Sequence, residues 1–560
     1  MIFNVKSLFG KPGSNEPFAN RKSALQWLES LPADDPSGSH TRINEMLVQL
    51  TEAGPTQKEE TARLEIIDAL DHHIQPLQAT LCEQYLRSPR MSQQVENRLW
   101  QAIHGYCTTI SQLYFRHLQA QISNRELRHG ESLALRLCLR GLFHLGHAIK
   151  WRLLRYGQPD SDMWSLLNAF YMIAESQGFE NQPLTLYDGR EYRCGSLFLR
   201  AQLLVLTHPG SLVPEQIEQL DRWLLEATEP MSLERSPRPE RHHYFVDLAE
   251  PQGALPVSAV SFTATSRAWD MSTLLIQLQR SKVDLTQSSG SQVIDPTQRQ
   301  KLFAAFSHAE KQWYPLHLGK LRKHPRTRAS HHLSVVHGLP ALSNVIRLSL
   351  KEPFETAPDD KAIKYTEMVD LQMYGFVTES TRTRQHNLRA PIHLNEPTER
   401  WESENESVNG YLVRYPGSSW MHLGSLVGLR EEGSRDWKAA VVRRLIKTEP
   451  LSSMAGIEII AAHPVPVTLQ PIQADAQTVP APPGPTAPSL NEALMTEPLQ
   501  GTHFSLIIDS AHYARSRLYK FQPVSGQPFT YFRLGQIIEK GDLWIHAEAL
   551  VIREEQDLPD

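Results

Sequence analysis

Two stretches of this sequence carry side chains able to grip an anion between them. The first is Leu321 to Leu339, LRKHPRTRASHHLSVVHGL, in which three residues separate Arg322 from Arg326, and Lys323, His324 and Arg328 add positive charge ahead of a strand-like run. A guanidinium meets a phosphate, or the O6 and N7 acceptors of a guanine edge, through two parallel hydrogen bonds. Two such groups on one short turn suit a guanine nucleotide. The second stretch is Asn405 to Gly410, NESVNG, directly before GYLVRY. There Asn405 can bond its own turn, the Ser407 hydroxyl can bond the turn or a ligand, and Gly410 allows the positive φ that entry into a strand often requires. Taken singly, the first stretch is also a solvated basic turn and the second a good strand-entry turn.

These residues must be positioned by a long chain. At 560 residues it exceeds one hydrophobic core and implies three or four units. With 57 Lys plus Arg against 62 Asp plus Glu, the net charge of −5 gives no global attraction to nucleic acid or anionic membrane, so a polyanion site must be local. No run approaches the ~18 apolar residues of a membrane span. The N-terminal MIFNVKSLFGKPG has no sustained apolar core, so it does not read as a secretory signal and the expected compartment is the cytoplasm. Cys82, Cys107, Cys138 and Cys194 lie in helical segments without ligand-like spacing, which predicts buried free thiols rather than a metal site or disulfides.

Helical periodicity dominates up to about residue 235. Ser23 and Gln26 have capping-box spacing for a first helix ended by Pro32; Ile43, Met46, Leu47 and Leu50 form a second apolar face; Leu64, Ile67, Leu70 and Ile74 form a third that reaches Pro76. Val95 to Tyr106, Glu131 to Tyr156, Trp164 to Ala174 and a segment opened by Pro214 continue the array, with Gly157 and Gly178 as stops. Trp164, Leu167 and Tyr171 echo half of a tetratricopeptide unit, but no fixed period follows, so the expectation is an irregular all-helical domain able to bind a partner. Residues 236–320 read as a connecting segment with a short strand at His243 to Leu248 and helices at Thr265 to Leu278 and after Pro296.

From Leu333 the texture turns to short β-branched runs: LSVVHGL, GYLVRY, LGSLVGLR, KAAVVRRLI and AGIEIIAA, the strands of a small antiparallel barrel over residues 321–467. A polar stretch from about 340 to 400, with helical pattern at Ala362 to Val369, reads as an insertion. Residues 468–500 carry VPAPPGPTAP and read as a proline-rich linker, and 501–560 as a C-terminal β-unit that either stands alone or completes the barrel. The fold class is therefore α+β multidomain.

Other polar features carry less. The pairs His72 and His73, His242 and His243, His331 and His332 are adjacent, a spacing that neither helix nor strand puts on one face, so no metal site is expected. No P-loop, GxSxG elbow or HExxH is present, and no enzymatic activity is expected.

Arg322-Lys-His-Pro-Arg326 followed by Asn405-Glu-Ser407-Val-Asn-Gly410, and then by strands in this order, resembles the PilZ domain, whose pattern is RxxxR and [D/N]xSxxG. The resemblance spans about Leu321 to Val467, and the gap between its motifs is longer than in that family. Arg382, Arg384 and Arg389 offer a second register nearer Asn405, but without the three-residue separation or a clear strand after them. The resemblance implies a receptor for cyclic di-GMP, with Arg322 and Arg326 on phosphates and guanine edges and Asn405, Ser407 and Gly410 on the other side. It implies a bacterial signalling effector that passes nucleotide binding to a protein partner through the helical region. The alternatives are a scaffold with a degenerate barrel and, least supported by the net-acidic chain, a nucleic-acid binder.

Overall fold

The computed structural model describes residues 20–52, 57–88, 91–123, 131–257, 262–287, 295–314, 326–350, 398–418, 420–448, 452–472, 491–497, 501–521 and 529–552. The chain divides into two compact units, Met1–Arg322 and Lys323–Asp560.

The first unit is built on helices. In order these are α1 (Arg21–Glu29), α2 (Pro36–Glu52), α3 (Gln57–Arg87), α4 (Gln93–Ser123), α5 (Glu131–Leu153), α6 (Ser161–Gln177), α7 (Cys194–Leu206), α8 (Pro214–Ala227), α9 (Ser272–Gln287) and α10 (Pro296–Trp313). Between α6 and α7 lies a small hairpin, β1 (Leu184–Thr185) and β2 (Glu191–Tyr192). Between α8 and α9 lies a three-stranded sheet of β3 (Tyr244–Asp247), β4 (Leu255–Pro256) and β5 (Ser266–Trp269).

Capping and punctuation follow local chemistry, with two departures from the sequence reading. The first helix is capped by Asn20, whose side-chain oxygen accepts the Ser23 N–H at 3.0 Å, so Ser23 lies inside the helix and its capping-box spacing is incidental. The third helix does not stop at Pro76. Its apolar face continues through Leu81 and Tyr85, and burial of that face outweighs the one hydrogen bond the proline removes. The sixth helix begins at the Asp160 cap and ends at Gly178, which takes φ +77°, as the Gly stop predicts.

The described residues between 236 and 314 pack into the helical core rather than forming a separate connector. Trp269, Leu274, Leu278, Phe306 and Trp313 join the same core as α7 and α8, and the Trp313 indole donates to the Leu203 carbonyl at 3.1 Å. Part of the helical pattern seen from Thr265 is the strand β5; α9 starts only at Ser272. All four cysteines are free thiols, Cys107, Cys138 and Cys194 buried and Cys82 half-buried.

The second unit holds two barrels. The first is a ring of β7 (His332–His337), β8 (Glu399–Ser407), β9 (Gly410–Tyr415), β12 (Ser452–Ala461), β11 (Lys438–Thr448) and β10 (Leu426–Glu431), which returns to β7; a short β6 (Thr327–Arg328) pairs with the far end of β8. The second ring is β13 (Val465–Pro471), β14 (Asn491–Met495), β15 (His503–Asp509), β18 (Trp544–Val551), β17 (Thr530–Lys540) and β16 (Leu518–Phe521). Numbered within its own ring, each barrel runs 1-2-3-6-5-4 with every neighbour antiparallel, so the two share one topology.

This corrects the reading of the chain after residue 464. Val465–Pro471 straddles the expected end of the first barrel at 467 and the start of the supposed linker, and Asn491–Met495 lies within that linker, yet they are strands 1 and 2 of the second barrel; residues 473–490 lie outside the described residues. Proline density misled because Pro466 and Pro471 occupy strand positions there. The C-terminal β-unit is thus a barrel of its own.

The proposed insertion also begins as structure. Gly338 takes φ +84° to turn the chain out of β7 into α11 (Leu339–Leu350), with Pro340 tolerated in the first turn. That helix buries Leu339, Leu342, Val345 and Ile346 in one cluster with Leu426 of the first barrel and Leu494, Ile507 and Trp544 of the second. Residues 351–397, Ala362 to Val369 among them, lie outside the described residues. Further ties join the barrels: Trp544 Nε1 donates to the Gly424 carbonyl at 2.9 Å, His422 Nε2 meets Asp542 at 3.0 Å, and Arg443 holds Glu539 with two nitrogens.

Candidate functional site

The described part of the arginine stretch, from Arg326 on, meets the NESVNG stretch along one edge of the first barrel. Strand β6 pairs antiparallel with the end of β8, setting Arg328 opposite Asn405 and Thr327 opposite Glu406. Continued by one residue, that register sets Arg326 beside Ser407. Residues directly opposite in such a pair have Cβ atoms about 4.5–5.5 Å apart. Arg326 and Arg328 are both exposed. Arg322 lies outside the described residues, as do Arg382, Arg384 and Arg389.

On the facing strand a β-bulge falls between Ser403 and Asn405. A bulge re-aims the residues after it. Asn405 is half-buried, and its Oδ1 is buried without a hydrogen-bond partner, an acceptor still to be satisfied. The Ser407 hydroxyl donates to the Gly410 carbonyl at 3.3 Å, bracing the two-residue turn. Gly410 is needed for a reason other than the expected positive φ. It is absent from the positive-φ glycines, and a Cβ there would lie 2.0 Å from the Ile457 carbonyl oxygen of β12. The requirement is close strand approach.

Beside this edge Tyr411 is buried; its hydroxyl donates to Glu431 at 2.5 Å, and Lys438 Nζ reaches both Glu431 at 2.6 Å and the tyrosine oxygen at 2.8 Å. The hydrogen bonds from Lys438 and then Tyr411 hold the Glu431 carboxyl below its ordinary pKa. The Lys438 cation thereby offsets that carboxylate locally.

The helical unit holds a polar centre that periodicity overlooked. Asp71 is fully buried, and its carboxylate accepts the hydroxyls of Tyr106, Tyr114 and Tyr187, with His144 Nε2 at 3.1 Å and Gln75 Nε2 at 2.8 Å. Arg140 bonds Asp68 at 2.7 Å and Tyr114 at 3.1 Å beside it. Burial works to raise the Asp71 pKa, but the facing His144, Arg140 and the phenol donors outweigh it and hold the carboxyl well below the usual range. A second buried pair, Arg200 and Asp221, is bidentate at 2.7 and 2.6 Å. The signal for the first cluster was legible: Asp71 falls among Ile67, Leu70 and Ile74, an acid at a core position of an apolar face. Among the described residues no group of His, Cys, Asp and Glu is arranged to hold a metal.

Comparison with family models places this architecture. Residues 22–239 match the N-terminal domain of the cyclic-di-GMP receptor FimW, and residues 349–466 match that receptor's middle PilZ domain. The chain is a PilZ-domain protein. The PilZ match begins at residue 349, so Arg322, Arg326, Arg328 and the strand β7 precede it, while Asn405, Ser407, Gly410 and the second arginine cluster fall within it. The PilZ barrel itself nevertheless closes through β7, which pairs with both β8 and β10. No curated protein matches the chain by sequence. No described helix is long and apolar enough to cross a membrane.

Proposed function

We propose that this chain binds cyclic di-GMP on the outer edge of the first barrel, gripped by Arg326 and Arg328 with Arg322 ahead of them, and met by Asn405, Ser407 and Gly410. The observation that carries this reading is the register that sets Arg328 opposite Asn405. It supports a surface where exposed guanidiniums lie across one strand pair from Asn405, able to take phosphate charge and a base edge together. The matched receptor family supports the ligand.

Isothermal titration of the full chain with cyclic di-GMP tests it. Each lost bidentate arginine contact is worth about 1–3 kcal/mol, so Arg326→Ala and Arg328→Ala should each weaken binding by about 5- to 150-fold. Absence of heat with the unaltered chain overturns the reading. Full binding by the double variant, with loss in an Arg384→Ala, Arg389→Ala variant, overturns this site in favour of the second arginine cluster.

The effector reading adds a step. If the nucleotide binds one arrangement of helical unit and barrels more tightly, it shifts their equilibrium by that difference, and a protein partner of the helices gains or loses affinity by the same linkage. The scaffold alternative differs in having partner binding independent of nucleotide. Free buried thiols support a reducing, cytoplasmic setting.

A further inference from the structure

The helical unit carries an apolar surface that its own core does not use. On α9, Leu274 and Leu278 are buried in the core, yet the same helix exposes Ile276 at 54 % and Val283 at 46 % on another stripe. A helix that packs on one side needs a single apolar stripe, so the second is left to be accounted for. Ile276 and Val283 are seven positions apart and therefore share a face, about 10.5 Å from each other along the axis. With Leu275, and with Tyr314 just after α10, they line an open groove of about 1040 Å³. The acids of this groove are engaged and its cations are not. Glu310 is held by Lys282 at 2.6 Å and by Gln279, and Asp284 has a contact of its own, whereas Arg280 and Lys311 stand exposed with no ion pair among the described residues. The groove lies beyond the helical family match, which ends at residue 239, and ahead of the PilZ match, which begins at 349, so neither accounts for it.

We propose that this groove seats an amphipathic α-helix of a partner protein, one with apolar side chains at i, i+4 and i+7 and acidic residues beside them. A helix laid in a groove is read through apolar anchors at that spacing, and the span from i to i+7 equals that from Ile276 to Val283. Arg280 and Lys311 are free to pair with carboxylates on the flank of such a helix, and would meet like charge on a basic one. Pairing two copies of the groove face to face would set those same cations against each other. An anionic bilayer would meet Asp284 and Glu310 beside the apolar floor, whereas a peptide can place its charges around them. The proposal rests on the partner step of the effector reading, to which it gives a surface and a chemistry, and not on where the nucleotide binds.

Fluorescence anisotropy on the full chain without nucleotide tests it. The probe is a labelled peptide of about 18 residues, long enough to sustain a helix, with leucines at that spacing flanked by glutamates; its twin carries lysines in place of the glutamates. The glutamate peptide should bind, and the lysine twin at least fivefold more weakly, with the gap closing at high salt. Ile276→Gln with Val283→Gln, exposed changes that spare the core, should weaken the glutamate peptide at least tenfold. Arg280→Glu with Lys311→Glu should reverse the preference between the two peptides. Arg326→Ala with Arg328→Ala should leave peptide binding unchanged, and cyclic di-GMP added afterwards reads the effector step by itself: an unaltered peptide affinity refutes that coupling and leaves the groove standing. Failure of the glutamate peptide to bind, equal binding of the twin, or an unreversed preference in the charge variant overturns the proposal. So does a dimer in sedimentation that Ile276→Gln with Val283→Gln dissolves, which makes a second copy the occupant.

Discussion

Replacing Asp71 by alanine should be among the most damaging single changes in the helical unit. The carboxylate, itself fully buried, accepts three phenols and faces His144 and Gln75. Alanine removes that acceptor and strands several buried donors at once. Breaking a buried charged network from one side costs about 3–5 kcal/mol, against a total of roughly 5–15 kcal/mol for a whole domain. Tyr187→Phe instead deletes one donor and leaves no new buried polar atom, so it should cost only about 1 kcal/mol. Hydrogen exchange by mass spectrometry on the full chain reads this directly, because amides of α3, α4 and α5 report the opening free energy of that region. The pH dependence has a definite sign. A carboxyl held below its unfolded value of about 3.9 contributes stability that is present above that pH and is lost as pH falls toward the folded value, at up to ~1.4 kcal/mol per unit. Protection in the unaltered chain should therefore drop on acidification below about pH 4 more steeply than in Asp71→Asn, which does not titrate. An alanine variant within about 1 kcal/mol of the parent, or equal acid slopes, refutes the reasoning.

Further outcomes follow from the barrels. Gly410→Ala should destabilise the first barrel by about 1–3 kcal/mol, since its Cβ would sit 2.0 Å from the Ile457 oxygen and the hairpin must shift; exchange in β9 and β12 should rise and cyclic di-GMP binding fall with it. Trp544→Phe keeps the ring in the shared cluster but removes the indole bond to Gly424, so thermal unfolding should show a loss of about 1 kcal/mol, felt in both barrels. Arg443→Ala should cost less than its two contacts to Glu539 suggest, about 1 kcal/mol or under, because the side chain is partly exposed and screened; high salt should erase most of the difference from the parent.

Much of the architecture was written in local patterns. Apolar residues at helical spacing marked nearly every helix of the first unit, and alternating β-branched runs marked β9 to β12 and β15 to β18, because burial of one face demands that periodicity whatever the partner. Asn405, Ser407 and Gly410 stood out as residue types with strong turn preferences, although Gly410 is required by close strand approach and not by a positive φ. What the sequence could not decide was anything that depends on which surfaces meet. Pro76 sits inside a helix because distant packing outweighs a local break, and Pro466 and Pro471 sit in strands because the ring around them closes. The position of Asp71 on an apolar face marked it as unusual, but only the fold brings three tyrosines from other segments onto its carboxylate. Arg328 and Asn405 are more than seventy residues apart, and only pairing of β6 with β8 brings them opposite each other. Local sequence sets what a segment prefers; tertiary contacts, formed between residues far apart in the chain, settle which preferences survive and which side chains share a site.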